Sequence, residues 1–209
     1  MMDVELPDNL RLSTLHQTPE FYKETIKLIE HCFGYEDNFS FATDFYPLMN
    51  TLNATNNHIV IDSLRQKVVA HLGVKSRTLA YKGAFLPCLL MGGIATAPEY
   101  RSRGIFSRMM NAIINMHKDI GLFILWSDQP ELYKKFNLYQ AGKVLEIDLA
   151  LMTDLPASTQ TFTESSLSHL STNDLSQLQR LYNDQHQSLM TLVRTVQDWH
   201  EISKISSTK

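Results

Sequence analysis

The chain contains 209 residues, 44% of them hydrophobic, and carries a formal net charge of −3. This length fits one well-buried domain, or one domain and part of another. The small negative charge argues against a nucleic-acid partner and against binding to an anionic membrane. Neither a His-Glu-x-x-His motif nor a paired-cysteine spacing occurs, so we expect no metal site.

The sequence also favours a cytoplasmic protein without a membrane span. Residues 1–5 are partly acidic, and no basic segment leads into an apolar run, as it would in a secretion signal. The longest apolar run, 84–95, is interrupted by Pro87 and two glycines and is too short to cross a bilayer. Cys32 and Cys88 lie among apolar residues, which is typical of reduced core thiols, although a disulfide stays an alternative.

The N-terminal part predicts a strand followed by helices. The strand is expected over 10–15, and the segment 18–20 (Thr-Pro-Glu) then marks a helix start, with Thr18 as the capping hydroxyl. A buried stripe at helical spacing precedes Gly34 and consists of Tyr22, Ile26, Ile29 and Phe33. A short helix is predicted over 42–49.

Three β-rich runs follow. Residues 58–62 and 67–74 are rich in β-branched side chains and are separated by a polar turn, which predicts a hairpin. The dipeptide 82–83 (Lys-Gly) marks a second turn, and the apolar run 86–96 predicts a central strand covered on both faces. Pro87 within this run predicts an irregularity near its start.

The clearest helix is predicted over 104–120, with an apolar stripe on one face and Gly121 at its end. A strand is predicted over 122–126, then a short helix opened by an acidic capping box at 128–131, and a last strand over 143–152. This order of elements predicts a mixed α/β protein, with an α+β mixed sheet flanked by helices.

The C-terminal part differs in composition. Residues 153–172 are rich in serine and threonine and predict a linker between a first domain, 1–152, and a helical tail, 173–209. The tail contains apolar side chains that we expect to be buried against another surface, namely Leu175, Leu178, Leu181 and Trp199. We therefore expect the tail to pack against the first domain or against another copy of the chain, as in a homodimer.

The segment with the most chemical information is 92–107, which contains the end of the central strand, a short basic turn and the start of a helix. Such a turn directs backbone N–H groups into one space, where the helix dipole adds positive potential. Arg101 and Arg103 add formal charge, and Gly104 lets an anion approach the main chain closely. These residues fit a pyrophosphate site, and they equally fit a plain strand-to-helix connection with solvated arginines.

This segment resembles motif A of the GNAT (GCN5-related) N-acetyltransferases. The signature is Arg or Gln, two residues, Gly, one residue, then Gly or Ala; Arg101 and Gly104 match it, and Phe106 departs from the small last residue. The Gly-Ile-Phe-Ser form resembles the two-domain Eis-type members. The similarity in element order extends over roughly residues 10–150. It implies the GNAT fold, in which the central sheet splays to admit acetyl-CoA as co-substrate.

The resemblance implies a role for each matching residue. The end of the central strand would bind the pantetheine arm and the acetyl carbonyl, through Ile94, Ala95 and Thr96. The main chain of the basic turn and the helix start would hold the pyrophosphate, through Arg101, Ser102, Arg103, Gly104, Ile105, Phe106 and Ser107. Ser127 and Asp128 would end the next strand, at the point where the two strands splay.

Tyr133 resembles the general acid of the family, which lies in a Tyr-x-x-x-Gly-Phe segment; here Asn137 and Leu138 replace Gly-Phe. In such enzymes this tyrosine protonates the departing CoA thiolate, and a phenol with a pKa of about 10 suits that role. The general base stays open. Candidates are Glu36, Asp37, Asp44 and His71, although side chains of these kinds are more often solvated or structural.

The resemblance implies an acetyl-CoA-dependent N-acetyltransferase that transfers an acetyl group to a small-molecule or protein amine by direct attack. Aminoglycosides, polyamines, amino acids and protein amines all stay open as acceptors, because a fold does not select among them. The alternative is a CoA-binding regulatory module without turnover, which the changes at Phe106, Asn137 and Leu138 favour and Tyr133 opposes. The tail, 173–209, resembles the start of a second GNAT-like half.

Overall fold

The computed structural model describes residues 6–7, 9–36, 38–142 and 167–205. These residues form a mixed sheet in the order β1-β2-β3-β4-β5, with β6 paired to β3 and helices against the sheet. The strands are β1 (Leu10–Thr14), β2 (Asn57–Asp62), β3 (Lys67–Tyr81), β4 (Ala84–Thr96), β5 (Phe123–Ile124) and β6 (Thr191–Leu192). The helices are α1 (Tyr22–Phe33), α2 (Phe41–Asp44), α3 (Tyr46–Met49), α4 (Ile105–Met116), α5 (Thr172–Asp184) and α6 (Val196–Ile202). The predicted mixed α/β class with a helix-flanked sheet is confirmed.

Helix α1 begins later than its sequence signal. Residues Pro19–Phe21 form a 3-10 turn ahead of it. The Thr18 hydroxyl donates to the Thr14 carbonyl oxygen at 2.9 Å and caps neither helical segment, so the capping role predicted for Thr18 is wrong. Gly34 ends α1 as predicted, at a φ of 68°, because glycine adopts left-handed backbone geometry without strain.

The single short helix predicted over 42–49 is divided into α2 and α3. The two helices meet at Phe45, whose φ of −113° and ψ of 39° are not helical. Pro47 lies in the first turn of α3 and has no N–H to donate to a carbonyl of α2. A continuous helix through this proline would lose a backbone hydrogen bond, whereas a new helix start loses none.

Strands β2, β3 and β4 form the antiparallel centre of the sheet. Every residue of β2 is buried, and the predicted turn at 82–83 joins β3 to β4 with both residues at positive φ. The irregularity predicted at Pro87 is wrong, because Pro87 pairs in register with Thr78. Proline fits there because β5 pairs with β4 only at residues 89–90, so no described strand lies against the β4 edge beside Pro87.

The predicted helix 104–120 corresponds to α4 but ends at Met116. The N–H of His117 bonds to the carbonyl oxygens of Ile113 and Ile114, and the φ of −115° at His117 ends the helical geometry there. The strand predicted over 122–126 is reduced to β5. In the described ranges no helix is long and apolar enough to cross a membrane.

The short helix predicted after β5 is instead a pair of 3-10 turns, Pro130–Leu132 and Lys134–Phe136. The capping box predicted at 128–131 does not form, because the N-cap position falls on Gln129 and no side chain caps this turn. The predicted strand 143–152 and most of the predicted linker 153–172 lie outside the described residues.

The tail packs against the first domain and extends its sheet. Strand β6 pairs antiparallel with Leu79 and Ala80 of β3, a pairing that the sequence pattern did not predict. Leu175 and Trp199 are buried, as expected for the two predicted tail helices. Leu181 is 68% exposed, so the prediction that this side chain is covered is wrong.

Shielded ion pairs join the tail to β3. Nζ of Lys75 lies 3.0 Å from Oε2 of Glu201, and Nη2 of Arg77 lies 3.1 Å from Oδ1 of Asp198. The Arg77 guanidinium is also 3.9 Å from Glu201. The side chain of Glu201 is only 7% exposed, so this carboxylate neutralises two cations that are themselves largely covered.

We expect Glu201→Gln to lower the free energy of unfolding by about 3 kcal/mol, because Lys75 and Arg77 then stay charged beside a neutral amide. Urea unfolding of the full chain measures this loss. Glu131→Gln is the matched control, since Glu131 pairs with Lys134 at an exposed site and should contribute less than about 1 kcal/mol. Equal losses in the two variants would contradict a stabilising role for the tail contact.

Buried histidines couple the fold to pH, and His58 is one of them. His58 in β2 is 6% exposed, and its Nε2 atom has no hydrogen-bond partner among the described residues. Burial, with a smaller contribution from His117, lowers the pKa of His58 to about 4. In the unfolded chain a histidine has a pKa of about 6.5. Protons therefore bind first to the unfolded state, and acid favours unfolding.

We expect the free energy of unfolding to be greatest above pH 6.5 and to fall as the pH is lowered from 6.5 towards 4, since the folded pKa lies below the unfolded one. His58→Leu should reduce the loss between pH 6.5 and pH 5 by about 2 kcal/mol. Urea unfolding at each pH tests this. His16→Leu, at an exposed site, is the control. Parallel pH profiles for His58→Leu and the unmodified chain would show that the assignment is wrong.

Candidate functional site

The candidate site lies where β4 and β5 separate. The two strands run parallel but pair only through Leu89 with Phe123 and Leu90 with Ile124. Strand β4 then continues to Thr96, whereas β5 ends. The splayed sheet predicted from the sequence is therefore present. The opening is a cleft of about 870 Å³ that the end of β4, the residues after β5 and the start of α4 line together.

A bulge in β4 shapes the floor of this cleft. The register between β3 and β4 shifts after His71, so that two residues of β4, Gly93 and Ile94, face one residue of β3. Gly93 has a φ of 60°, and its carbonyl oxygen accepts a 2.6 Å hydrogen bond from Nδ1 of His71. Bulged residues leave main-chain groups out of the ladder, so groups near Ile94 are free to face a ligand.

The sequence made His71 a candidate base, but in the fold it is a structural residue. Its ring is fully enclosed, with Nε2 3.0 Å from Oδ1 of Asn57. Burial, opposed in part by the bond to Gly93, lowers the pKa of His71 to about 4, so the ring is neutral at pH 7. A Cβ on Gly93 would lie 3.0 Å from this ring. The imidazole and the glycine therefore fit together and fix the bulge.

The N-terminal end of α4 forms the second side of the cleft. Ser102 and Gly104 both have positive φ, 60° and 76°, and Gly104 stands at the N-cap position. No side chain caps the helix, so the first N–H groups of α4 have no intrahelical or capping partner. Consecutive left-handed and helical residues form a concave set of N–H groups that binds anions. The strand, turn and helix predicted here are thus in an anion-binding arrangement.

The two arginines of the turn do not act alike. Nε of Arg101 donates to the Thr96 carbonyl oxygen at 3.1 Å, and its Nη2 lies 4.0 Å from Sγ of Cys32, so this side chain reaches back to the end of β4. Arg103 donates to the Glu99 carbonyl oxygen and stacks 4.9 Å over the Tyr100 ring. Arg103 is absent from the lining of the cleft, whereas Arg101 is part of it.

Two further cations lie at the start of α4. Nζ of Lys135 donates to Oγ of Ser107 at 2.7 Å, and Lys135 lines the cleft. Nη1 of Arg108 donates to the Arg103 carbonyl oxygen at 3.0 Å, beside Gly104. The sequence gave no role to Arg108 or to Lys135. The paired lysines after Tyr133 were the available signal, but no pattern indicated that they approach α4.

Tyr133 lies under the cleft with 9% of its surface exposed. Burial raises the pKa of its phenol, a hydrogen bond with Ser127 lowers it, and the charge of Asp128 raises it again. The phenol is therefore protonated at neutral pH. The Phe106 ring packs edge to face against Tyr133, at 5.8 Å between centroids and 90° between planes. The larger residue in the motif therefore fills space against the tyrosine, and it makes a similar contact with Phe136.

The other candidate bases do not gather in the cleft. Glu36 and Asp44 are absent from its lining, and Asp37 lies outside the described residues. Among the described lining residues the carboxylate is Asp128, beside Tyr133. The described ranges also contain no group of three His, Cys, Asp or Glu side chains that could hold a metal ion.

Most residues singled out from the sequence share this cleft. Apart from Arg103, the lining includes every residue predicted to bind the cofactor or to act as the acid: Ile94, Ala95, Thr96, Arg101, Ser102, Gly104, Ile105, Phe106, Ser107, Ser127, Asp128 and Tyr133. Ser127 and Asp128 stand beyond the end of β5, which stops at Ile124. The sequence missed a set of aromatic lining residues, namely Phe33, Phe41, Phe45 and Trp126. Phe33 was expected in the buried stripe of α1 but is 54% exposed.

Solved structures align with this chain at low sequence identity, and one of them, with a TM-score above 0.5, shares its fold. A Saccharomyces cerevisiae N-myristoyltransferase with bound myristoyl-CoA aligns with a TM-score of 0.63 and 16% identity, over 96% of this chain and 52% of its own. A probable N-acyltransferase from Enterococcus faecalis V583 aligns with a TM-score of 0.49 and 18% identity, over 61% and 31%. A GCN5-related N-acetyltransferase from Kribbella flavida gives 0.46 and 20%, over 60% and 32%. The chain thus spans about half the length of these proteins, or less.

No protein of curated function matches the sequence at a significant level. A sequence profile of the acetyltransferase (GNAT) domain, in contrast, matches residues 15–141. That match covers well over half of the chain and contains the splayed strands, the bulge and the start of α4. The chain belongs to the GNAT acetyltransferase family.

Proposed function

We propose that the chain transfers an acetyl group from acetyl-CoA to an amine. The observation that carries this proposal is a single cleft lined both by the uncapped N-terminus of α4 and by the buried phenol of Tyr133. An anion site and a protonated phenol at the two sides of one cleft fit a substrate that carries phosphates and leaves as a thiolate.

The start of α4 fits the pyrophosphate of acetyl-CoA. Its free N–H groups and the helix dipole attract an anion, and Gly104 has no side chain of its own to keep that anion away from the main chain. A Cβ at Gly104 would lie 3.0 Å from Nη1 of Arg108, so the arginine already occupies the space beside the glycine. Arg108 and Lys135 would add charge from the two flanks.

The end of β4 fits the pantetheine arm. The carbonyl oxygen of Thr96 now accepts from Arg101, and the arm would replace this contact with an amide hydrogen bond of its own. Arg101 is exposed, so it can turn from Thr96 towards the phosphates at little cost in burial. The main-chain groups near Ile94, freed by the bulge, would face the acetyl carbonyl.

The chemistry follows from these positions. A neutral amine attacks the thioester carbonyl; a C–N bond forms, and the oxyanion is stabilised by donors from β4. The C–S bond then breaks, and the thiolate takes a proton from the Tyr133 hydroxyl. Burial keeps that phenol protonated, and Ser127 and the perpendicular Phe106 ring hold it in place. The phenol regains its proton from solvent or from the acceptor.

The location and organisation of the whole protein are part of the same proposal. We infer a cytoplasmic enzyme whose tail, 173–209, begins a second GNAT-like half as in the two-domain Eis-type members. This inference rests on the resemblance of the tail sequence to the start of a second GNAT-like half. The tail contacts its own first domain, so the structure gives the homodimer alternative less support.

We expect Gly104→Asp to weaken acetyl-CoA binding by about tenfold or more, because it adds both a side chain and a negative charge at the proposed pyrophosphate site. Isothermal titration calorimetry measures the change. Gly83→Asp is the matched control, since Gly83 has a φ of 80° and open surroundings but lies in the β3–β4 turn. If a folded Gly104→Asp protein bound acetyl-CoA as tightly as the unmodified chain, the phosphates would not bind at this segment.

We expect Tyr133→Phe to lower turnover by about 10²–10⁴-fold, because the ring packing stays and only the proton donor is lost. The loss should appear in kcat and leave acetyl-CoA affinity unchanged. Release of free CoA thiol, first screened over a panel of amines, provides the assay.

Tyr139→Phe is the control for this experiment, since Tyr139 is 69% exposed and lies outside the cleft. An unchanged kcat in Tyr133→Phe, with acetyl transfer shown to be rate-limiting, would contradict the acid role. Tight binding of acetyl-CoA without acetylation of any amine would instead favour the regulatory module without turnover.

A further inference from the structure

Three phenylalanines form an aromatic wall on the cleft, and we use this name for Phe33, Phe41 and Phe45. Phe33 ends α1, Phe41 begins α2 and Phe45 stands between α2 and α3. The rings of Phe41 and Phe45 stack at 4.5 Å between centroids, and Phe33 lies 6.1 Å from Phe41 at a tilt of 35°. All three line the same cleft as Tyr133. The wall is therefore one continuous aromatic surface inside the candidate active site.

The wall is fixed in place and still open. The Phe41 N–H donates to Oε1 of Glu30 at 2.9 Å, and the edge of Tyr35 packs against the Phe41 ring. Phe41 is 1% exposed, whereas Phe33 and Phe45 are 54% and 47% exposed. A collapsed aromatic cluster would cover all of its rings. Here one ring is locked into the core and its two neighbours keep about half of their surface for a ligand.

The wall begins beside the bulge of β4. The Cζ atom of Phe41 would lie 3.1 Å from a Cβ at Gly93. Cys32, next to Phe33 in α1, donates from Sγ to the Thr96 carbonyl oxygen at 3.6 Å. Residues 93–96 are those that would hold the acetyl thioester under the proposed function. A group that covers the wall is therefore attached to, or adjacent to, the reacting atoms.

The charged side chains that line the cleft favour one class of amine as the acceptor. Among the described lining residues the carboxylate is Asp128, which lies on the side of Tyr133 and not on the wall. An acceptor with several ammonium groups needs several accessible carboxylates, and Glu30, which binds the Phe41 N–H, is absent from the lining of the cleft. A single ammonium, in contrast, is attracted by the faces of aromatic rings, and an aromatic or branched apolar body stacks on them.

We propose that the acceptor is a small primary amine with one charge and an aromatic or apolar body, such as an arylalkylamine, and that the aromatic wall binds that body. This inference rests on the proposed acetyl transfer. Phe45 and Phe33 contribute the open ring faces, and Phe41 supports them. Trp126, also on the cleft and 73% exposed, adds aromatic surface from the side of β5.

The test compares phenethylamine with spermidine, using acetyl-CoA at saturation and release of free CoA thiol. We expect kcat/KM for phenethylamine to exceed that for spermidine by at least about tenfold. Phe45→Ala should raise the KM for phenethylamine by about tenfold and change kcat less. Phe45→Leu keeps an apolar side chain at this position and should give a smaller increase. Phe39→Ala is the matched control, because Phe39 is 60% exposed in the same segment but absent from the cleft.

Binding is measured separately, so that the wall is tested even without turnover. Phenethylamine is titrated by calorimetry into the full chain saturated with CoA, and Phe45→Ala should weaken this binding as it raises KM. Binding without any acetylation would support the wall and refute the proposed function. A preference for spermidine, or equal results for Phe45→Ala and Phe39→Ala, would overturn the inference about the wall. The wall could instead bind the acyl chain of the donor. In that case transfer from hexanoyl-CoA would be faster than from acetyl-CoA, and Phe45→Ala would remove this difference without changing the preference among amines. That result would also overturn the inference about the wall.

Discussion

The short pairing between β4 and β5 is the constraint on which the site depends. Two parallel strands normally satisfy their main-chain groups along their whole length, but here the ladder stops after residues 89–90 and 123–124. The remaining residues of β4 need other partners on that edge. A ligand with amide groups can provide them, as the pantetheine arm would under the proposed function, whereas a regular sheet would leave no room for it.

The bulge at Gly93 converts this opening into a site with a defined geometry. His71 bonds to the Gly93 carbonyl oxygen from within the core and, on its other side, faces Asn57. A neutral, buried imidazole therefore lies behind β4, and the outer face of β4 stays open to the cleft. A lone histidine in a strand made His71 a candidate base and did not predict the bulge, because the distance between His71 and Gly93 depends on the register of β3 against β4.

Local sequence predicted the strand, turn and helix start that line one side of the cleft, and it did not indicate the aromatic side. The strand, basic turn and helix at 92–107 are adjacent in sequence, so dipole, glycine and charge could be combined without knowledge of the fold. The aromatic wall brings the end of α1 and the start of α2 to the bulge of β4, which lies about 50 to 60 residues further along the chain. Helical periodicity placed Phe33 with the core, yet α1 ends there and its last turn faces the cleft.

The tail and the candidate site both contact strand β3. β6 pairs with β3 at residues 79–80, and Glu201 neutralises Lys75, which is four positions along β3 from His71. The Ser/Thr-rich composition that marks the predicted linker is therefore not a boundary in packing, because the chain beyond it returns to the first sheet. With β2 and β4 on its two edges and the tail at its far end, β3 is held along its length. That restraint keeps His71, and with it the bulge, in one register while ligands enter and leave the adjacent opening.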